Sequence, residues 1–346
     1  MSGSKPDRGF RRDRITASIA VVVVAAFAIA PLAGASAYDV TILTHFLAYA
    51  LLAMAISLMA GQGGLLTMAH AAYSGVAAYA TGLVALHVTS DGIVQLLAAI
   101  GAGTAVAALT GWITARATKV YFLMLSLAIG ELFYVLAVQW RAVTQGSDGL
   151  AAYTPLQFFG SAPLLLPGYV YWVALAVFVV LALAVVVVSR SPFGSALRGI
   201  RDNEARMASL GYPTVAYKYV AWVFSGAVAG GAGWLLVAQQ PRLVSPDDLS
   251  FATAGLLLLA VVIGGAESLW GACLGAGVLV VMNDVVSQHL NGNGPLVLGV
   301  IFVVAVYVLP RGIAGIRLRR SVRPQPTIEV PAPAEEKAEL SRTVSS

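Results

Sequence analysis

Residues 189–213 read SRSPFGSALRGIRDNEARMASLGYP, and within them Arg198, Arg201, Asp202, Glu204 and Arg206 crowd together in a chain whose neighbouring runs are mostly Ala, Val, Leu and Gly. Ser191 suits an N-cap and Pro192 the first helical position. Gly211 suits the residue just past a helix end, and Pro213 follows two places later. Between these marks Phe193, Leu197 and Ile200 recur at helical spacing, with Met207 and Leu210 continuing a broken apolar stripe. Asn203 is placed to cap a second short helix. Arg198 and Asp202 are four apart, as are Asp202 and Arg206, so the spacing predicts ion pairs along a polar face. The expectation is a helix–bend–helix, too polar to cross a bilayer and therefore lying on a membrane surface.

The flanks set that surface. The 346 residues are 59% hydrophobic and 11% charged, against about 25% charged in an ordinary soluble domain. Apolar blocks near the length a helix needs to span hydrocarbon recur along the chain. Backbone groups cannot stay unpaired in lipid, and the period-2 pattern of a barrel is absent. The fold class expected is an all-α polytopic membrane protein of about ten transmembrane helices, at 15–36, 41–60, 66–87, 92–114, 120–139, 168–188, 217–238, 251–265, 271–288 and 295–310. The pair 251–265 and 271–288 reads either as two crossings or as one long broken helix. The first block follows KPDRGFRRDR and resembles a signal peptide, with GASA at 34–37 as a cleavage-like site. Its length, and the span that follows at once, favour an uncleaved first helix.

Charge orients the bundle. With both termini in the cytoplasm, every basic residue of the 21 except Arg141 and Arg242 falls on the inner side, as the positive-inside rule asks. The domain plan is then a basic cytoplasmic tail (1–14), a transmembrane domain (15–312) and a disordered cytoplasmic tail (313–346) rich in Pro. Within the domain, loop 189–216 is cytoplasmic and loop 140–167 lies outside.

Candidate residues follow from polar chemistry in apolar surroundings. Gly61 and Gly64 either pack helices closely or break one and expose backbone dipoles to a solute. His70 either bonds a neighbouring carbonyl or faces a solute carboxylate or amide. Glu131, in mid-span, is either a buried acceptor, a brace for a partner subunit or a group that attracts an ammonium. The four histidines have no metal-ligand spacing, so no metal is expected. The single Cys273 rules out a disulfide framework. No P-loop and no nucleophile–base pair occurs, so no catalytic residue, cofactor or enzyme activity is expected. The 191–211 element reads either as a connector resting on lipid headgroups or as a docking surface for a soluble partner; its mixed charges favour docking.

The same stretch resembles the cytoplasmic loop of ATP-binding-cassette import permeases of the branched-chain amino acid (LivM-like) type, with Arg198, Arg201, Asn203, Glu204, Ala208 and Gly211 at matching positions. GQGGLLTMAHAAYSGVAAYATGL (61–83), VYFLMLSLAIGELFYVLAVQWRAVTQGSDGL (120–150), VSPDDLSF (244–251) and VVIGGAESLWGACLGAGVLV (261–280) resemble further segments of that family, in order. Thr67, Ala69, Ala77, Ala266 and Ala272 replace other small residues of its pattern. The resemblance implies a multi-pass permease of the bacterial cytoplasmic (inner) membrane, surrounded by lipid and contacting no nucleic acid. It implies two cytoplasmic ATPase subunits that bind the ATP, a second homologous permease and a periplasmic or lipid-anchored solute-binding protein. The 198–211 residues become coupling residues. Gly61, Gly64, Thr67, His70, Tyr73 and Glu131 become pathway candidates, and Ser147, Asp148 and Asp247 face the binding protein. The solutes implied are branched-chain or related amino acids; alternatives are urea, amides or aromatic acids, or an ion-coupled carrier using Glu131.

Overall fold

Inside a bilayer a backbone finds bonding partners only in itself, and the apolar runs of this chain answer with helices. The computed structural model describes residues 36–151, 156–157, 167–238, 243–286 and 299, all within the first of two compact units, Met1–Ile316. The expected spans 15–36 and 295–310 and both tails fall outside the described residues, save Ser36 and Gly299 at the margins of the spans.

Helix α1 runs Ala37–Ser57 and widens into a π-helical turn, Leu58–Gln62. Ser36 and Asp39 cap its start reciprocally: the Ser36 hydroxyl accepts from the Asp39 amide at 3.3 Å, and the Asp39 carboxylate accepts from the Ser36 amide at 2.9 Å. Then come α2 (His70–His87), α3 (Gly92–Thr114), α4 (Lys119–Gln139) and the single turn α5 (Arg141–Thr144). A two-residue strand β1 (Leu150–Ala151) precedes α6 (Pro167–Arg190), α7 (Pro192–Asp202), α8 (Glu204–Ser209) and α9 (Thr214–Ala238). Strand β2 (Leu243–Val244) leads to α10 (Phe251–Gly264) and α11 (Leu269–Val280), the last running on as a π turn to Val286.

Among the described residues five helices are long and apolar enough to cross a membrane: Tyr38–Gln62, Gly92–Thr114, Lys119–Gln139, Tyr169–Arg190 and Thr214–Ala238. This is an all-α membrane protein, the described residues adding one two-residue strand pair. α10 and α11 are shorter apolar helices that pack against each other. The described part of that segment, 251–286, is therefore a helical hairpin rather than one broken helix.

The core is built around α1 and α9, the two most buried of the long helices. α9 packs on α3 and α2, and α1 packs on α11, α9 and α6. Lipid supplies no hydrophobic drive between helices, so close backbone approach has to hold them together. At Gly230 of α9 an added Cβ would stand 2.6 Å from the Ala99 carbonyl oxygen of α3, so only glycine allows that crossing. The outer faces of α3, α4 and α6 expose Leu109, Trp112, Met124, Leu132, Val180 and Leu183, the apolar surface a bilayer covers.

The loops gather at two ends. At one, β1 pairs antiparallel with β2, Leu150 opposite Val244 and Ala151 opposite Leu243, which joins the 140–151 and 243–250 segments. At the other end lie α7, α8, the 115–118 and 265–268 turns, and the non-helical stretch 63–69.

Candidate functional site

The helix–bend–helix stands as its caps dictate. The Ser191 hydroxyl accepts from the Gly194 amide and the Asn203 side chain from the Arg206 amide at 2.9 Å. Gly211 takes φ +87, and the Tyr212 amide reaches back to the Met207 carbonyl while Gly211 reaches Ala208. That is a Schellman closure, which only a residue tolerant of positive φ completes easily.

The arginines do not pair as their spacing predicts. Asn203 is extended, at φ −157 and ψ 98, so α7 and α8 are separate helices and Asp202 and Arg206 do not share a face. Asp202 instead accepts from Nε of the adjacent Arg201 at 3.2 Å. Arg198 turns inward. Its Nη1 donates to Gln62 Oε1 at 2.6 Å and to the Ser189 carbonyl at 2.9 Å, and its Nη2 to Ser195. Arg201 donates through Nη1 to the Gly61 carbonyl at 2.6 Å and to Glu267 at 3.2 Å. Both guanidiniums thus meet the C-terminal end of α1 and its π turn, where unpaired carbonyls and the negative end of the helix dipole favour cations.

That end of α1 is where the helix breaks. Gly64 adopts φ +66 and the chain is non-helical until α2 begins at His70. The expected span 66–87 therefore starts four residues late. A Cβ on Gly64 would strike the Arg201 side chain, and one on Gly61 would strike the Ala266 carbonyl oxygen. The Ser57 hydroxyl donates to that same carbonyl at 2.7 Å. Three pieces remote in sequence meet here: the end of α1, the α6–α7 corner with α7 itself, and the 265–268 turn.

Behind the break sits a buried polar and aromatic cluster. Thr67 Oγ1 lies 3.3 Å from His70 Nδ1 and accepts from the Ala69 amide. The Met68 amide donates to Ser126 of α4. The Thr110 hydroxyl donates to the Val106 carbonyl at 2.8 Å, so its lone pairs receive the Tyr73 hydroxyl and the Trp222 indole N–H. His70, Tyr73 and Phe122 stand around Trp222 with ring centroids 5.0 to 5.6 Å away. His70 Nε2 is buried and has no partner among the described residues. α2 also begins without a side-chain cap, and its first residues, His70, Ala71 and Ala72, are buried.

Other expected residues are placed differently. On α4 the face toward the break is Phe122, Ser126, Ile129 and Gly130, where the added Cβ of Gly130 would stand 3.6 Å from the Met68 carbonyl. Glu131 is about 100° round the helix from Gly130, half-buried and off that face. Ser147, Asp148 and Asp247 are exposed at the end joined by β1 and β2, so the structure brings them to one surface. Asn203, Ala208 and Gly211 are exposed at the opposite end, with Arg206 and Leu210. Among the described residues no cluster of His, Cys, Asp and Glu forms a metal-ligand set.

Glu204 faces inward. Its carboxylate lies 2.8 Å from Lys218 Nζ and accepts from Thr214 at 3.3 Å. Lys218 is 2% exposed, its other acceptor being the Ala117 carbonyl at 3.4 Å. Glu204→Ala strands this ammonium, an expected loss of about 3 kcal/mol, toward the low end because the carboxylate is partly exposed. Adding Lys218→Met should restore most of the thermal stability of the purified protein; a Glu204→Ala melting point equal to the parent would refute the pairing.

Sequence reasoning passed over Glu267, Gln62, Thr110, Trp222 and Lys218. Glu267 and Lys218 had a signal, a lone charge beside an apolar run; Gln62 and Thr110 had none, because their roles depend on helices far away in the chain.

Fold and site together define a multi-pass helical membrane protein with a broken helix gripped by a surface helix pair. The comparisons name its kind. Residues 38–309 match the family model described as branched-chain amino acid transport system / permease component, and the chain belongs to that family. It is 28% identical over 298 residues to the high-affinity branched-chain amino acid transport system permease protein LivM of Salmonella typhimurium, covering 80% of this chain and 69% of the relative. It is likewise 28% identical to LivM of Escherichia coli, with 79% and 69% covered. A probable branched-chain amino acid transport permease protein LivH of Methanocaldococcus jannaschii is 27% identical over 142 residues, 39% of this chain and 44% of the relative. No solved structure matches significantly.

Proposed function

We propose that the chain is the transmembrane permease subunit of an ATP-binding-cassette importer that carries branched-chain or related amino acids across a bacterial inner membrane. In this reading it has ten spans with both termini in the cytoplasm. Two ATPase subunits, a second permease and a solute-binding protein complete the complex. The supporting observation is the two-sided character of α7 and α8. Their inner face is bonded to the break, while Asp202, Arg206 and Leu210 are left exposed. A pair that only connected two spans would have no need of both faces, whereas an ATPase-driven permease needs one surface to receive force and another to deliver it. The exposed 140–151 and 243–250 surface, with Ser147, Asp148 and Asp247, is the face for the binding protein.

The solute path runs beside the break. The amides that open α2 and the orphan His70 Nε2 supply donors for a carboxylate, and Tyr73 and Trp222 supply an apolar wall for an aliphatic side chain. Glu131 lies off this face, and the geometry lends the ion-coupled alternative no support.

The test is uptake of labelled leucine by vesicles holding the full complex, with ATP supplied or withheld and ion gradients collapsed. ATP-dependent uptake that ignores the gradients is the expected result, and competition by valine, urea or benzoate names the solute class. Gradient-driven uptake that ignores ATP would overturn the reading.

A further inference from the structure

Arg201 bonds three acceptors on three elements: Asp202 of its own α7 through Nε, and both the Gly61 carbonyl of α1 and Glu267 of the hairpin turn through Nη1. Its aliphatic stem fills the place where a Cβ of Gly64 would be, so the stem packs directly on the left-handed residue that starts the break. A guanidinium is planar and carries donors in a fixed fork, so the three acceptors cannot shift independently while it holds them. The bond to the Gly61 carbonyl is charge-assisted and short, among the strong class of protein hydrogen bonds. Arg198 fixes the same face of α7 to Gln62 and to the end of α6 at Ser189. On the other side of the bend Glu204 ties α8 to α9 through Lys218. The helix pair is thus bonded to two different parts of the bundle, α7 to the break and the hairpin, α8 to α9.

We propose that Arg201 is the positioning residue that carries displacement of α7 into the broken helix and the 265–268 turn together, so that the segment leading to His70 and the α10–α11 hairpin move as one. This rests on the importer reading above, and adds to it where the force goes. Arg201 and Arg198 then act within the permease and not as contacts to the ATPases. Gly61, which touches the Ala266 backbone, and Gly64, which makes room for the Arg201 stem, are the two places where a side chain would part the joint.

The experiment uses the full complex in vesicles. Arg201→Met keeps the stem over Gly64 and removes the fork. A reporter thiol is placed at the break as Leu66→Cys, since Leu66 is 41% exposed, in a Cys273→Ala background. Maleimide labelling is followed with ATP and with ADP, alongside leucine uptake and co-purification of the ATPases. With Arg201 present, labelling should change with nucleotide. In Arg201→Met the ATPases should still co-purify, labelling should no longer respond to nucleotide, and uptake should fall about tenfold or more, the scale of ordinary coupling between sites. Arg201→Lys keeps the charge without the fork and should recover only part of the uptake. Nucleotide-dependent labelling that survives in Arg201→Met overturns the proposal and leaves the importer reading intact. Labelling and uptake that ignore ATP already in the parent chain overturn the importer reading itself. If Arg201→Met does not insert, Glu267→Gln serves instead, since that carboxylate is 82% exposed. Uptake should then drop severalfold with the ATPases still bound, and unchanged uptake would dismiss the joint.

Discussion

Gly61→Leu should abolish uptake, and even Gly61→Ala should reduce it about tenfold, an overpacking effect of roughly 1–3 kcal/mol. The reason is what the new atoms would meet. A Cβ at Gly61 falls on the Ala266 carbonyl oxygen and comes within 3.0 Å of the Glu267 Cα. These are backbone atoms of a tight turn and cannot swing aside as a side chain would. α1 and the hairpin would have to part, which also stretches the Ser57 bond to Ala266 and withdraws Glu267 from Arg201. The comparison that isolates this cause is Gly101→Ala in α3, where an added Cβ meets nothing within 4 Å. There the substitution should leave uptake unchanged and raise stability by about 0.5–1 kcal/mol, because alanine loses less backbone freedom in a helix. Uptake should therefore fall in Gly61→Ala alone, while thermal inactivation shifts in opposite senses in the two variants. If Gly101→Ala proves as damaging as Gly61→Ala, the contact at Ala266 is not the cause.

How far such a joint was legible in the sequence depends on the range of the forces involved. Capping is local, and Ser191, Pro192, Asn203 and Gly211 set the helix–bend–helix in outline before any tertiary contact is known. Apolar runs are equally local, and the eight described helices that build the bundle, α1 to α4, α6 and α9 to α11, begin within a few residues of the expected spans. What the arginines reach is not local. The spacing of Arg198 and Asp202 suggested a pair along one helix, yet the Gly61 carbonyl lies 140 residues from Arg201 in sequence. Nothing in a one-dimensional pattern ranks a backbone carbonyl that a helix end leaves unpaired above a carboxylate four residues away. The glycines illustrate the same limit. Packing and breaking were rival readings of Gly61 and Gly64, and each holds at one of them: Gly61 packs against the turn, Gly64 makes the break. The strand pair Leu150–Val244 was hidden because two residues are too short to carry a period.

Replacing Leu210 by Asp together with Arg206 by Glu should strip the ATPases from the complex and bring ATP-driven uptake to background. Leu210 is 65% exposed at the closing turn of α8, and Arg206 is exposed on the same short helix. Neither side chain holds the permease together, so insertion and the melting point should stay as they are. At an interface a buried apolar anchor is worth about 2 kcal/mol or more, and an aspartate there adds desolvation of an unpaired charge. Reversing Arg206 adds repulsion against any acidic partner and slows encounter. A combined loss near 4 kcal/mol corresponds to roughly a thousandfold weaker association. The same variant separates docking from the other reading of this element, a helix resting on lipid headgroups. If α8 lay on the membrane, introducing two acidic groups would disturb contact with anionic lipid and leave ATPase binding intact. Co-purification of the ATPases therefore decides between them, and uptake then distinguishes the outer face from the inner one. Loss at Leu210 and Arg206 should come with loss of ATPase binding, whereas loss at Arg201 should come without it. Two faces of one helix pair would then fail in two different ways, which a simple connector between spans has no means to do.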